Sequence, residues 1–194
     1  VPEFNLPFNL KGNLFTLNGK MQNDFYSLEN NYKNNANYTS RFDSTEYNYK
    51  PEISFNWKLP LMKKAKNSSF LIEPMVNLVS SSYGKNFNSM PNEDSNSSEL
   101  TVSNLFINDR ISGFDRNEIG TRATYGIKSS LFNKYGEFGL TIGQSYRRTQ
   151  RQQDVVIRGF GGGKKSNIVG QVMYKSQKHF SMIYAFQLDE SNYN

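Results

Sequence analysis

Apolar and polar residues alternate with a period of two along several segments of the chain. The clearest segment places Ile53, Phe55, Trp57, Leu59 and Leu61 on one face and Ser54, Asn56, Lys58 and Pro60 on the other. The same alternation runs through residues 122–131, 138–147 and 180–189. Because successive side chains of a β-strand point to opposite faces, each segment is predicted to be a strand with one apolar and one polar face.

Further, less regular strands are predicted at residues 12–20, 26–32, 36–42, 70–80, 99–107 and 167–175, and in the first half of 45–61. Polar connections fall at 63–69, 83–98, 133–136, 159–165 and 176–178. Strands at this spacing are typical of antiparallel hairpins. The sequence therefore predicts an all-β protein, an antiparallel meander of roughly eight to ten strands.

Three features favour a partial transmembrane β-barrel over a soluble sandwich. The best alternating segments have the ~9–11 residues that a tilted strand needs to cross a bilayer. Their polar faces mix charged, amide and hydroxyl side chains, as a wet lumen would. Aromatic residues concentrate near strand ends, as at a membrane interface. The pattern leaves two alternatives open: a small closed porin-like barrel, and a soluble sandwich whose aromatic residues bind carbohydrate.

Composition supports a folded chain with its apolar residues on one face. Hydrophobic residues make up only 36%, which is typical of disorder, yet 14% of the residues are aromatic, which is not. The chain has no Cys, which excludes disulfides and Cys-ligated metal sites, and its single His179 makes a His-based triad or metal site improbable. We therefore expect no enzyme activity and no catalytic, cofactor or metal site.

The net charge of +6 could indicate a nucleic-acid partner. However, the densest basic group, Lys63, Lys64 and Lys66, falls in a predicted turn, where charges are normally solvated. We therefore expect no nucleic-acid binding. The first residues lack the basic and apolar regions of a signal peptide. We therefore expect the segment to begin inside a longer protein, after processing, or after trimming of the chain.

A series of motifs runs through residues 70–194. They are LIEPMV at 71–76, MPNEDS at 90–95, NLF at 104–106, DRISGFDRNE at 109–118, RATYGI at 122–127, LTIGQSY at 140–146, SNIVG at 166–170 and YAFQLD at 184–189. In this order and spacing the chain resembles the LptD family of lipopolysaccharide (LPS) assembly proteins. It departs from the family pattern at Asn167, Ile168, Ala185 and Gln187. Before residue 70 only YKPEI at 49–53 is similar to the family.

The resemblance implies that residues 1–194 are a segment of one outer-membrane β-barrel domain that inserts LPS into the outer leaflet. It implies a periplasmic jelly-roll domain and further barrel strands, neither of which we expect within 1–194. It also implies a location in the cell outer membrane. The implied partners are LPS, membrane lipid, a lipoprotein plug similar to LptE and a periplasmic protein of the LPS bridge.

Eight charged residues are candidates for a structural or lumenal cluster. They are Glu93, Asp94, Asp109, Arg110, Asp115, Arg116, Glu118 and Arg122. They could pair with one another to fix the connection at 83–98, or contact LPS directly; we favour pairing, because an unpaired buried charge is costly. Arg binds a carboxylate through two parallel hydrogen bonds. We therefore expect Arg110 or Arg116 to contact Glu93, Asp94, Asp115 or Glu118, tying that connection to the wall.

Two further motifs have competing interpretations. The cluster Asn92-Glu93-Asp94 could suggest a calcium loop but lacks the required Asp spacing, so we expect a loop cap that hydrogen-bonds nearby backbone. The glycine-rich stretch at 161–165 could suggest a phosphate loop, but it leads into no predicted helix. A flexible hairpin tip is the favoured interpretation of this stretch.

Overall fold

The computed structural model describes residues 1–35, 38–81, 92–148, 155–178 and 180–189, and these are all-β. His179 lies outside the described residues, as do most of the predicted connection at 83–98 and part of the predicted strand at 36–42. The strands are β1 (Glu3–Leu10), β2 (Asn13–Asn35), β3 (Tyr38–Lys58), β4 (Leu61–Ala65), β5 (Ser68–Ser81), β6 (Ser98–Glu99), β7 (Gly120–Asn133), β8 (Gly136–Arg147), β9 (Ile157–Arg158), β10 (Ile168–Ser176) and β11 (Ser181–Leu188). Within the described part of the chain, no helix is long and apolar enough to span a membrane.

One antiparallel sheet contains all the long strands, in the order β1-β2-β3-β5-β7-β8-β10-β11. The short β4 also pairs with β5, so it continues the line of β3 after the break at residues 59–60. Strands β6 and β9 form a separate parallel pair. The predicted meander is therefore confirmed, and in the described residues the sheet remains open, with β1 and β11 at its two edges.

Three sequence-based predictions need correction. The strand predicted at 99–107 is wrong, because beyond Glu99 these residues form turns. Strand β1 was not predicted, although its Phe4, Leu6, Phe8 and Leu10 alternate with polar residues and Pro7. The predicted turn at 63–69 is shorter than expected, because Lys63 and Lys64 belong to β4 and only residues 66–67 make the turn.

The two ends of the sheet differ in their connections. At one end, which we call the turn end, tight turns at residues 11–12, 66–67 and 134–135 and a short turn after Ser176 close the hairpins. At the other end, which we call the loop end, long connections follow β5 and β8, and the β2–β3 hairpin extends well past the other strands.

Burial on the two faces of the sheet is the reverse of that in a soluble protein. The apolar face leaves large side chains exposed, such as Leu6 at 55%, Phe180 at 57% and Tyr184 at 63%. The polar face is covered, so that Asn77 is 2% exposed and Ser145 is 0% exposed. At β11, Phe180, Met182, Tyr184 and Leu188 lie on one face, as the alternation over 180–189 predicted, and all four are exposed.

The polar face is covered by two connections of the loop end. We call residues 92–119, which precede β7, the inner segment; the second connection is 155–167. Together they build the main buried apolar cluster: Leu100, Leu105, Ile111, Val155, Ile157 and Phe160, with Val169 of β10.

Two glycines facing each other on β7 and β8 give the inner segment its close approach to the sheet. Gly126 and Gly143 are cross-strand neighbours on the polar face. A methyl group on Gly143 would lie 2.6 Å from Leu105 Cδ2 and 2.7 Å from the Tyr125 carbonyl oxygen, and one on Gly126 would lie 3.0 Å from the Phe106 ring. The missing side chains thus leave the space in which Leu105 and Phe106 pack.

We expect Gly143→Ala to destabilise the protein by about 1–3 kcal/mol, because the new methyl group overpacks the contact with Leu105. The matched control is Gly139→Ala on the same face of the same strand, where the nearest atom to the methyl group would be the flexible end of Met173, at 3.3 Å. Thermal unfolding in detergent measures both variants. Equal stability of the two would contradict the assigned packing.

Candidate functional site

Amide and hydroxyl side chains link neighbouring strands across the polar face. Asn18 of β2 donates to Ser54 of β3 (Nδ2 to Oγ, 3.0 Å), and Asn108 of the inner segment donates to the same hydroxyl (2.8 Å). Asn77 of β5 donates to Asn108 Oδ1 (3.1 Å) and to the Phe106 carbonyl oxygen (3.0 Å). The face is therefore a hydrogen-bonded polar wall, to which the inner segment is attached.

The same row of hydrogen bonds continues on the far side of Asn77. The hydroxyls of Thr124 on β7 and Ser145 on β8 lie 3.0 Å apart, and both side chains are buried. Ser166 of the second connection accepts a hydrogen bond from the Ser145 backbone amide (2.9 Å). Both connections are thus fixed to the wall by short polar side chains.

A buried ion group lies at the C-terminal end of the inner segment. Arg110 forms a two-pronged contact with Glu118, in which Nε donates to Oε2 at 2.7 Å and Nη2 to Oε1. Arg122, at the start of β7, places Nε 3.7 Å from Glu118 Oε2 and Nη2 3.8 Å from Glu52 Oε2 on β3. Its Nη1 also donates to the Glu118 carbonyl oxygen (3.0 Å).

The surroundings of Glu118 and Asp109 shift their pKa values in opposite directions. Burial raises the pKa of Glu118, but the charges of Arg122 and Arg110 outweigh it, so the net pKa lies below the ordinary value of 4.5. Burial raises the pKa of Asp109 above 3.8, against the hydrogen bonds that its carboxylate accepts from the Glu118 and Ile111 amides. Glu118 is therefore the stable anion of the group.

Asp94 and Asp115 bind each other's backbone. The Asp94 carboxylate accepts hydrogen bonds from the amides of Phe114 (2.9 Å) and Asp115 (3.2 Å). In return, the Asp115 carboxylate accepts hydrogen bonds from the amides of Glu93 (2.8 Å) and Asp94 (3.3 Å). We call this reciprocal arrangement the Asp clasp; it closes the inner segment on itself.

Strands β2 and β3 hold the clasp from the loop end. Lys50 Nζ forms an ion pair with Asp24 Oδ2 (2.8 Å) and donates to the carbonyl oxygens of Phe114 (2.9 Å) and Asp115 (3.2 Å). Gln22 donates to the Phe114 carbonyl oxygen as well (3.3 Å). The inner segment is thus fixed to the sheet at the clasp as well as at the ion group.

Comparison with known proteins identifies the family. The family model of LptD, described as LPS transport system D, matches residues 1–194, the whole of the sequence. The chain belongs to the LptD family. No curated protein matches it.

Membership assigns this LptD-family chain a role in LPS transport and outer-membrane assembly, with LPS as the molecule transported. The family is one of transport and assembly proteins, as the resemblance over residues 70–194 implied. The match also covers residues 1–69, where the sequence motifs gave little resemblance.

An open cavity of about 770 Å³ lies between the inner segment and the first three strands of this LptD-family chain. Its lining is mostly polar and includes Asn5, Asn18, Lys20, Glu52, Asn56 and Asn108. Amide groups both donate and accept hydrogen bonds, as sugar hydroxyls do. Among the described residues, no group of three acidic or His side chains is placed to hold a metal ion.

The eight charged residues predicted as one cluster occupy two places. Asp109, Arg110, Glu118 and Arg122 come together in the ion group, and Glu93, Asp94 and Asp115 come together at the Asp clasp. Arg116 is buried beside the clasp, where its amide donates to Ser95 Oγ (2.9 Å).

The expected Arg–carboxylate contact is present between Arg110 and Glu118, but both residues belong to the inner segment. The carboxylates of Asp94 and Asp115 link residues 93 and 94 to residues 114 and 115. The loop cap expected at Asn92 is confirmed, because Asn92 Oδ1 accepts a hydrogen bond from the Ser95 amide (2.9 Å).

Sequence reasoning missed the partners that the strands supply, notably Glu52, Lys50 and Asn77. A signal for the first two was available: continuing the alternation of Ser54, Asn56 and Lys58 backwards places Glu52 and Lys50 on the same polar face. It also missed Phe160, whose ring centroid lies 4.1 Å from the Arg147 guanidinium carbon and 5.7 Å from that of Arg110. No sequence pattern identifies that aromatic contact.

We expect Glu118→Gln to reduce the free energy of unfolding by about 3–5 kcal/mol, because it leaves two buried arginines without their shared carboxylate. The control is Glu99→Gln, which removes the same charge from an exposed side chain of the same segment. Denaturant unfolding in detergent compares the two variants. A loss for Glu118→Gln no larger than that of the control would show that the ion group does not stabilise the fold.

Hydrogen bonds from the amides of Phe114 and Asp115 lower the pKa of Asp94 below 3.8. A carboxyl group whose folded-state pKa is lowered stabilises the fold above its unfolded-state pKa, and this stabilisation is lost as the pH falls through the folded-state value. We therefore expect the amides of Phe114 and Asp115 to lose hydrogen-exchange protection below pH ~3.8, after correction for intrinsic exchange rates. In the Asp94→Asn variant, the amides of Phe114 and Asp115 should be less protected from hydrogen exchange at neutral pH. Their loss of protection on acidification should also be smaller. If the acid-dependent loss of protection is the same as in the wild type, the Asp clasp is contradicted.

Proposed function

We propose that residues 1–194 form part of the wall of one outer-membrane β-barrel through which LPS reaches the cell surface. The observation that carries this proposal is the reversed burial of the sheet: large apolar side chains are exposed on one face, and buried amide and hydroxyl groups cover the other. A barrel in lipid needs this distribution, since its outside meets acyl chains and its inside meets water.

The orientation follows from the connections. Outer-membrane barrels have short turns on the periplasmic side and longer loops on the extracellular side. The turn end therefore faces the periplasm, and the loop end with the β2–β3 hairpin faces the cell exterior. The inner segment and the second connection then fold from the outside into the barrel.

The polar cavity is the part of this wall best suited to the saccharide of LPS. The inner segment and the second connection cover the polar face of β7, β8 and β10, whereas the cavity beside β1, β2 and β3 stays open. Its lining mixes Asn side chains with one ammonium group, Lys20, and three carboxylates, Glu3, Glu52 and Asp109. The amide groups suit neutral hydroxyl groups.

The ion group has a structural role in this proposal. Glu118 is shared by Arg110 and Arg122, and Arg122 also lies near Glu52. The positive charges of the arginines are therefore balanced by carboxylates within the group. Because breaking a buried pair is costly, these arginines are poor binding groups for a passing phosphate. The proposal therefore assigns them to the support of the inner segment.

Family membership supports three further elements. We infer that the cell outer membrane is the site of action, and that the partners are a lipoprotein plug similar to LptE and a periplasmic protein of the LPS bridge. We also infer a periplasmic jelly-roll domain elsewhere in the protein. Moving an amphipathic lipid requires no bond to be made or broken, so no catalytic residues are assigned. No observation favours the porin-like or carbohydrate-binding alternative.

Ile127 on the apolar face and Gln171 on the polar face test the location of the sheet. If the apolar face meets lipid, we expect Ile127→Arg to destabilise the barrel by about 2–4 kcal/mol, whereas Gln171→Arg should have little effect. Heat resistance of the folded band on gels and the amount assembled in the membrane report the difference. A tolerated Ile127→Arg would indicate that this face meets water and would contradict the proposal.

A further inference from the structure

Each of the four described turns at the turn end contains a lysine. They are Lys11 between β1 and β2, Lys66 between β4 and β5, Lys134 between β7 and β8, and Lys178 between β10 and β11. Within three residues of these turns there are three more lysines, Lys63, Lys64 and Lys175, and one carboxylate, Glu137. The turn end is therefore strongly basic.

The four turn lysines have no acidic partner within the described ranges. All four are exposed, and none forms an ion pair with a carboxylate of the part of the chain that the structure describes. Lys134 lies over the ring of its neighbour Tyr135, with Nζ 4.9 Å from the ring centroid. At the loop end some basic side chains are bound by carboxylates, Lys50 by Asp24 and Arg110 by Glu118.

The lysines are arranged along the edge of the apolar face. Strands in a sheet lie about 4.8 Å apart. The registers place the turns at 66–67, 134–135 and after Ser176 level with one another, so these three turns recur about every 10 Å. The turn at 11–12 lies on the same side of the sheet, but about six residues short of them along the strands. Exposed side chains of the apolar face lie beside these turns on the strands: Leu61, Phe70, Leu131, Phe138, Phe180 and Met182. The exposed ring of Tyr135 lies in the turn itself. This is the sequence of layers, apolar then aromatic then cationic, that a bilayer boundary requires.

We propose that the turn lysines form a docking surface for the phosphate groups of anionic phospholipids in the leaflet that the turn end reaches. The inference rests on the proposed membrane location and adds a lipid partner to it. Ammonium groups near a membrane surface are attracted by anionic headgroups, and long lysine side chains can reach from the edge of the apolar band to the phosphates.

An acidic protein partner fits the arrangement less well. The lysines of three neighbouring turns, Lys66, Lys134 and Lys178, repeat along the edge of the apolar band. Such a row matches a continuous layer of charge, which lipid headgroups supply. The flanking aromatic side chains Phe70, Phe138 and Phe180 belong to the apolar face, which continues towards the middle of the sheet. A phospholipid therefore uses both features, whereas an acidic protein would use only the charge.

The test uses the intact protein reconstituted into nanodiscs of phosphatidylcholine alone or with about a quarter phosphatidylglycerol. We expect phosphatidylglycerol to raise the midpoint of thermal unfolding by about 2–4 °C, and 1 M NaCl, where the Debye length is about 3 Å, to remove the rise. A variant with Lys11→Gln, Lys66→Gln, Lys134→Gln and Lys178→Gln should not show this rise in the unfolding midpoint. The matched control removes four exposed charges at the loop end, through Arg148→Gln, Arg158→Gln, Lys164→Gln and Lys165→Gln. This control should still show the rise in the unfolding midpoint.

Each result decides between the proposals. No rise in the wild type, a rise kept by the turn variant, or an equal loss in the control variant overturns lipid docking at the turns. Binding of polyglutamate with no response to phosphatidylglycerol would indicate an acidic protein partner instead, and a response to LPS alone would place the turn end in the other leaflet. If the protein cannot be reconstituted into bilayers, the barrel proposal itself fails.

Discussion

Glu118 is the residue on which the arrangement of the polar face depends. Its carboxylate is shared by Arg110 and Arg122, its amide donates to Asp109 Oδ1 (3.0 Å), and its carbonyl oxygen accepts from Ser81 Oγ (2.7 Å) and Arg122 Nη1 (3.0 Å). Each of its polar groups therefore joins the inner segment to itself or to β5 and β7. A buried carboxylate without such partners would be unstable, so the position of the segment and the charge of Glu118 require each other.

The fold separates two tasks that a soluble domain combines. A soluble sheet buries its apolar face to gain stability and leaves its polar face in water. Here the apolar cluster formed by the inner segment and the second connection stabilises the polar side, while the apolar face of the sheet stays available. Consequently the residues that hold the inner segment, such as Leu105, differ from those suited to contact lipid, such as Phe138.

The strands could be predicted because their signal is local. Strands β8 and β11 alternate over most of their length, with Gln144, Ile183 and Ala185 as exceptions, and their hydrogen-bond partners did not need to be known. The inner segment misled the prediction because Leu100, Val102 and neighbouring residues also alternate. Here, however, Asn104 turns the chain. Its Oδ1 accepts a hydrogen bond from the Thr101 backbone amide (2.8 Å), and its backbone amide donates to the Thr101 carbonyl oxygen (3.3 Å). This turn is held in place because Leu105 packs into the space at Gly143, and the position of that glycine depends on strand register. The chemistry of Arg110 predicted a carboxylate partner. The alternation of β3 places Lys50 and Glu52 on the polar face, but their contacts with Phe114, Asp115 and Arg122 depend on strand register, which alternation alone does not give.

Placement of the inner segment also restricts the order of assembly. The segment precedes β7, yet Leu105 and Phe106 occupy the space left by glycines on both β7 and β8, so these strands must pair before the segment can dock. In a closed barrel the docking site faces the interior, and a stretch of chain entering later would have to pass through the loop-end opening. Docking while β1 and β11 are still free edges avoids that passage. The segment would then be enclosed as the wall closes around it, as an internal template against which the last strands are added.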